Sequence, residues 1–250
     1  MNDKVQIVPA YILKRRTILS FIVFIAGIFI ALIVWNGLQK QEKIANVPAT
    51  LRKGLETNEW LFSHMFSDKN LSRIYAKKFA AARVRVNGDY GLKKDSDTAN
   101  WKLQIIKKLG DTLKISLAEI KSLTKTTITF DFKCVEGWNQ ITNWSGVRFS
   151  DFANKYRLTE QTKMNYVGMA TPDSAYYVGI DMASMLHSQT ILAYEMNGLP
   201  LPMNQGYPLR LIIPVKYGVK HLKRIGTIYF DNNKPKDYWY ETGYDYFCGM

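Results

Sequence analysis

The sequence predicts an α+β protein: one domain of mixed, mainly antiparallel sheets, preceded by a single N-terminal transmembrane helix. Three observations carry this. Residues 17–35 read TILSFIVFIAGIFIALIVW, a run without a single charge. Beyond Arg83, short β-prone runs alternate with turns rich in Gly, Asn, Asp and Pro, without the regular strand–helix alternation of a parallel sheet. A hydrophobic fraction of 47% and an aromatic fraction of 13% supply enough apolar surface for a packed body.

The apolar run comes first in the chain. At about 1.5 Å per residue it spans roughly 28 Å, close to the hydrocarbon thickness of a bilayer. It is apolar all round, whereas a helix packed in a soluble core carries a polar face. Lys14, Arg15 and Arg16 abut it, and Lys40 and Lys43 follow it. The positive-inside tendency therefore puts the basic stretch 1–16 in the cytoplasm and residues beyond about 36 outside. The segment KRRTILS has two readings: a twin-arginine export signal, which serves proteins exported already folded, or arginines placed for charge alone. No small-residue cleavage site follows, so the helix is expected to stay as an anchor.

Residues 36–50 read as a juxtamembrane linker and 51–250 as the domain. Leu51, Leu55, Trp60, Leu61, Met65 and Phe66 recur at helical spacing and predict a helix over 50–79. The β-prone runs are ARVRV, KLQII, TTITFDF, LRLIIPV and GTIYF, with Asn87-Gly88-Asp89 and Asn197-Gly198 as turns. SLAEIKSL (116–123) and VRFSDFANKY (147–156) read as short helices between them.

The net charge of +13 raises nucleic acid as a partner. The lysines are scattered, in pairs such as Lys77-Lys78, Lys93-Lys94 and Lys107-Lys108, and none adjoins a reading motif. A solvated basic surface suited to anionic membranes or substrates accounts for them. The two cysteines, Cys134 and Cys248, form no CxxC or CxxCH, which excludes c-type haem and a cysteine-clustered zinc site. His64, His187 and His221 are too dispersed for a histidine-rich metal site, and no GxGxxG or P-loop is present.

Chemistry concentrates around Cys134, in FKCVEGWNQITNWSGVRFSDF, just past a β-like run. A lone cysteine is most often a small buried apolar group. Its thiolate is also a soft metal ligand, and a strand end can hold it rigidly. Gly137, Trp138, Trp144 and Gly146 would let backbone approach a large planar group and wall it from water.

The pattern C-x-x-G-W followed by W-x-G resembles the molybdenum-ligand segment of the sulfite-oxidase family, which includes periplasmic methionine-sulfoxide reductases. Three further stretches resemble that family in the same order: RVNGDYGL (85–92), LAYEMNGLPLPMNQGYPLRLIIPVKYGVKHLKRIGTI (192–228) and WYETGYDYF (239–247). The resemblance covers roughly residues 55–250. It implies a sulfite-oxidase-type molybdopterin-binding domain holding one mononuclear molybdenum on one pterin.

Carried over residue by residue, the resemblance makes Cys134 the cysteine whose sulfur binds molybdenum. Arg210 corresponds to an arginine on the pterin or its phosphate, and His221, Leu222 and Lys223 to a loop holding the phosphate. Thr171 and Asn58 fall at cofactor-contacting positions, and Tyr244 at an active-site tyrosine. Gln205 stands where sulfite oxidases often have His and sulfoxide reductases Asn, which leaves cofactor binding intact and gives no vote on substrate. From the residues alone, a buried phosphate needs backbone N–H groups with Arg or Lys, and the 217–223 run offers a glycine followed by Lys220, His221 and Lys223. With the chain ending soon after residue 247, the dimerisation residues and haem domain of eukaryotic-type sulfite oxidases are expected to be absent.

The implied activity is oxygen-atom transfer on a small sulfur–oxygen substrate, by sulfite oxidation or sulfoxide reduction. An external electron carrier is implied, a membrane cytochrome or quinone-linked protein. The domain is expected on the periplasmic side of the inner membrane. Cys248 is expected to be a small core residue, and a Cys134–Cys248 disulfide to be absent from active protein. A non-catalytic exported scaffold that retains the fold is the alternative.

Overall fold

A computed structural model describes residues 9–92 and 98–249; Lys93 and Lys94 lie outside the described residues. The chain divides into two compact units, Met1–Gly54 and Leu55–Met250.

The first unit holds helix α1 (Ala10–Gln39), strands β1 (Lys43–Ile44) and β2 (Val47–Pro48), and the start of helix α2 (Ala49–Met65). An 18-residue window of α1 has a mean hydropathy of 3.0 and none of it is buried, so α1 is long and apolar enough to cross a bilayer. Lys14, Arg15 and Arg16 sit inside its first turns, not ahead of it. The expected linker contains a small hairpin in which Ile44 pairs with Val47.

In the second unit the helix expected over 50–79 stops at Met65. Ser67 caps the turn that follows, accepting from Asn70 N at 2.9 Å, and Ile74 pairs with Phe130 as an isolated bridge. Turn formers outweigh the apolar spacing there. Next come β3 (Lys102–Lys108), β4 (Asp111–Ser116), α3 (Leu117–Lys121), β5 (Lys125–Lys133), β6 (Asn139–Arg148) and α4 (Phe149–Lys155). They are followed by β7 (Tyr166–Ala170), β8 (Tyr177–Asp181), α5 (Met182–Leu186), β9 (Ile191–Met196) and β10 (Leu199–Pro200). The last elements are β11 (Arg210–Ile212), β12 (Thr227–Asp231) and α6 (Tyr238–Glu241).

The expected helix at 116–123 is α3, started by a capping box in which Ser116 and Glu119 satisfy each other's backbone N–H. The one expected at 147–156 begins two residues late, because Val147 and Arg148 still pair with β9. ARVRV (82–86) forms no ladder: Arg85 N donates to the Gln140 side chain at 2.9 Å instead of to a strand. Its alternation reads as a strand, but a side chain has taken the partner's place.

Two five-stranded sheets result. One runs β10-β9-β6-β5 with β11 also on β9; the other runs β4-β3-β12-β7-β8. All pairings are antiparallel except β12 with β3. The larger core joins the second sheet to one face of the first, through Ile105, Val167, Ile228, Leu192 and Leu211. The opposite face of the first sheet buries Ile128, Phe130, Trp144, Ala193 and Ile212. Period-two alternation along β9 and β11 thus feeds both cores.

Candidate active site

The site grows from the hairpin joining β5 to β6. Lys133 pairs with Asn139, Cys134 N donates to Trp138 O at 2.9 Å, and Gly137 N donates to Cys134 O at 3.1 Å. This is a three-residue loop closed by a left-handed residue, and Gly137 takes that conformation at φ 86°. The C-x-x-G-W spacing therefore follows from backbone geometry, and it fixes Cys134 at a rigid tip. Gly146 has a different job from the one expected. A Cβ there would lie 2.1 Å from Leu192 O, so it lets β6 pass close to β9.

Alternate residues of β6, Gln140, Thr142 and Trp144, face the same way as Phe132 of β5 and Cys134. They floor a cleft of about 890 Å³, counting its open mouth. Its walls come from the stretch around Arg85, Asn87 and Tyr90, from Tyr176, Gln205 and Arg210, from Gly218, Val219, His221 and Lys223, and from Trp239 and Tyr244.

The structure brings Cys134, Gln205, Arg210, His221, Lys223 and Tyr244 together at this cleft. It does not bring Asn58, Thr171 or Leu222. Asn58 is exposed on α2. Thr171 lies behind the wall, packed where Gly91 leaves no room for a Cβ, with its hydroxyl on Asp173 at 2.6 Å. Leu222 is fully buried in the larger core. Lys220 is also turned away: it is buried against Asp237 and donates to Gly179 O, so it holds structure and not phosphate.

Arg210 is the decisive group. Its guanidinium is buried, lies 4.5 Å from the Trp144 ring, and donates to Gln205 O and Oε1 at 3.2 and 2.8 Å. Its Nε has no partner, and among the described residues no carboxylate pairs with it. Burial pushes it below its usual value. A buried cation without a counter-ion is costly unless an anion completes it. Lys223 reinforces the demand: burial, then Arg210, push its ammonium down to about 8. It clamps the 87–88 backbone, donating to Asn87 O and Gly88 O at 2.6 and 2.9 Å. Burial pushes His221 down to about 3, so it is neutral, and its Nε2 faces Lys216 O at 3.2 Å.

Gln205 uses both ends of its amide. Oε1 accepts from Arg210 while Nε2 donates to Val84 O and Arg85 O. Sequence reasoning missed Asn87, whose Nδ2 donates to Cys134 Sγ at 3.7 Å, although RVNGDYGL contains it. It also missed Arg85, stacked 4.6 Å over the Trp138 ring, and Tyr176, whose hydroxyl donates to Val219 O at 2.6 Å. Among the described residues no cluster of His, Cys, Asp and Glu could hold a metal ion. Both cysteines are free thiols.

A single soft sulfur, an apolar and aromatic floor and a buried cationic end share one cleft, an arrangement suited to a large anionic cofactor. The comparisons agree. The family described as the oxidoreductase molybdopterin binding domain matches residues 90–239, and the chain belongs to it. It is a molybdopterin-dependent oxidoreductase with the mixed, mainly antiparallel fold expected. Over 187 residues it is 33% identical to a putative protein-methionine-sulfoxide reductase subunit, YedZ1, of Azospira oryzae, covering 74% of this chain and 70% of that one. It is 28% identical over 191 residues to the protein-methionine-sulfoxide reductase catalytic subunit MsrP of Campylobacter jejuni, covering 69% of this chain and 63% of that one. The sulfane dehydrogenase SoxCD of Paracoccus pantotrophus superposes with a TM-score of 0.47 at 17% identity, covering 56% of this chain and 40% of that one.

Proposed function

We propose that this chain is a membrane-anchored molybdenum enzyme that moves an oxygen atom to or from a small sulfur–oxygen substrate. The relatives' names favour sulfoxide reduction over sulfite oxidation. One observation carries the reading: a lone cysteine at a rigid hairpin tip shares a cleft with a buried arginine that has no counter-ion among the described residues. A pterin phosphate would complete the charge at Arg210, and the Cys134 sulfur would be the protein's ligand to the metal.

When bound, the cofactor supplies two-electron oxygen-atom transfer. The chain's own residues bind, orient and shield. Arg210 and Lys223 hold the anionic end, and the backbone of 218–223 lies beside them. Trp138, Trp144 and Trp239 line the space around the cofactor and exclude water. Asn87 directs an N–H at the Cys134 sulfur, as second ligands to a metal-bound sulfur do. Tyr244 stands at the mouth, 39% exposed, with its ring edge-on to Trp239, where a substrate oxygen can accept from its hydroxyl. Arg85, which also lines the cleft, favours a polar or anionic substrate.

Among the described residues no cluster offers a haem or iron–sulfur ligand set, so electrons pass through an external carrier. Anchored by α1, the domain faces the periplasmic side, and a membrane cytochrome or quinone-linked protein is the natural carrier.

The test is molybdenum per chain by mass spectrometry, with pterin fluorescence after oxidation, in wild type and Cys134→Ser purified from membranes. About one molybdenum per wild-type chain is expected, with a loss of at least ~10-fold in the variant, the scale on which metal sites respond to lost support. Wild-type protein without metal or pterin, made in a cofactor-competent host, would sink the reading and favour the scaffold alternative.

A further inference from the structure

The segment 216–223 has two sets of side chains with different tasks. His221 and Lys223 line the cleft. Lys216 and Lys220 point the other way and are both buried. Lys216 pairs with Asp181 at 2.6 Å and lies 2.9 Å from the Phe247 ring centroid. Lys220 pairs with Asp237 and lies 4.5 Å from the Tyr246 ring. The same segment also bonds to the C-terminal stretch through backbone: Tyr217 N donates to Cys248 O at 2.9 Å, and Lys216 bridges to Gly249.

That C-terminal stretch, residues 237–249, gives the cleft two of its walls, Trp239 and Tyr244. Asp237 sets where it begins. Its Oδ2 accepts from Lys220 and from Gly179 N, and its Oδ1 accepts from Tyr240 N, capping α6. Farther along, the Tyr246 hydroxyl donates to Pro235 O at 3.0 Å and presses on Gly179, where a Cβ would clash. Among the described residues the stretch carries no strand of its own, so side-chain contacts hold it down: those of Asp237 and Tyr246, the Tyr177 hydroxyl donating to Glu241, and the packing of Tyr238 and Trp239 on Tyr90, together with the bridge at Gly249.

We propose that Asp237 is a positioning residue. By pairing with Lys220 it latches residues 237–249 across the cleft as a strap, so that cofactor binding and strap docking stabilise each other through segment 216–223. This rests on the cleft being the cofactor site. Reciprocity sets the form of the test: the factor by which a docked strap raises cofactor affinity is the factor by which bound cofactor protects the strap.

Lys236 is exposed immediately before the strap, and trypsin cutting there, followed by mass spectrometry, reports strap release. Full-length protein would be compared with and without cofactor, as wild type and Asp237→Asn. Asn keeps an oxygen to cap α6 but loses the charge opposite Lys220. The expected result is cutting at least about tenfold slower in the loaded wild type. Asp237→Asn is expected to release pterin at least about tenfold faster and to lose most of that protection.

A merely structural role would speed cutting equally with and without cofactor. Equal cutting of loaded and cofactor-free wild type would overturn the proposal, as would pterin release unchanged in Asp237→Asn. If that variant does not fold, Tyr246→Phe deletes only the bond to Pro235 O. It should speed pterin release about threefold or more, the scale of one buried hydrogen bond, and no change there would also overturn the proposal. Wild-type protein without pterin would instead refute the cofactor reading itself, a separate result.

Discussion

A guanidinium buried beside Trp144, with no carboxylate opposite it among the described residues, works against the cofactor-free fold and in favour of an anion. Arg210→Met should therefore cut pterin content at purification about tenfold or more, while the melting midpoint of cofactor-free protein moves by no more than about 4 °C. A collapse of stability in that variant would show that Arg210 serves the fold instead. Lys223 carries the pH dependence. Its pKa is lowered to about 8 in the cofactor-free site, and an anion beside it raises it again. Binding therefore takes up a proton, and affinity for inorganic pyrophosphate should fall as pH rises through 8. Calorimetry in two buffers of different ionisation heat would show the uptake, and pH-independent binding between 7 and 9.5 would contradict it.

At the scale of elements, the hairpin at Cys134 shows what the sequence revealed and what it withheld. The C-x-x-G-W spacing was legible because local backbone geometry demands it: only a glycine sits easily at φ 86°, the last position of the loop. Gly137→Ala should cost about 1–2 kcal/mol from the left-handed conformation alone. It should lower cofactor occupancy while leaving far-ultraviolet circular dichroism unchanged. Equal occupancy and stability in the variant would mean the turn relaxes freely. The short helix at α3 was likewise legible, and its capping box spans only Ser116 to Glu119. What escaped was decided by distant partners. Nothing near Thr171 announces that Gly91 packs against it, and nothing near ARVRV announces that Gln140 intercepts its backbone. Lys220 reads as a phosphate ligand until Asp237, seventeen positions on, claims it. Asn87 reaches Cys134 across 47 positions, a distance no local pattern encodes.

For the whole molecule, α1 makes the clearest prediction. The full chain should resist extraction from membranes at alkaline pH, and a version starting at residue 40 should be released into the soluble fraction. Substituting Lys for both Arg15 and Arg16 separates the two readings of KRRTILS: it stops export only if the pair is an export signal, since the charge is kept. The second sheet carries a further consequence. Its only parallel pairing joins β3, near residue 105, to β12, near residue 228. During synthesis at about 5–20 residues per second, the edge of β3 waits roughly 6–25 s for its neighbour to be made. Until then it offers unpaired backbone groups to any passing strand. The second sheet is thus finished only once β12 has been made, and a chain interrupted before it is left with a sticky edge and an incomplete sheet.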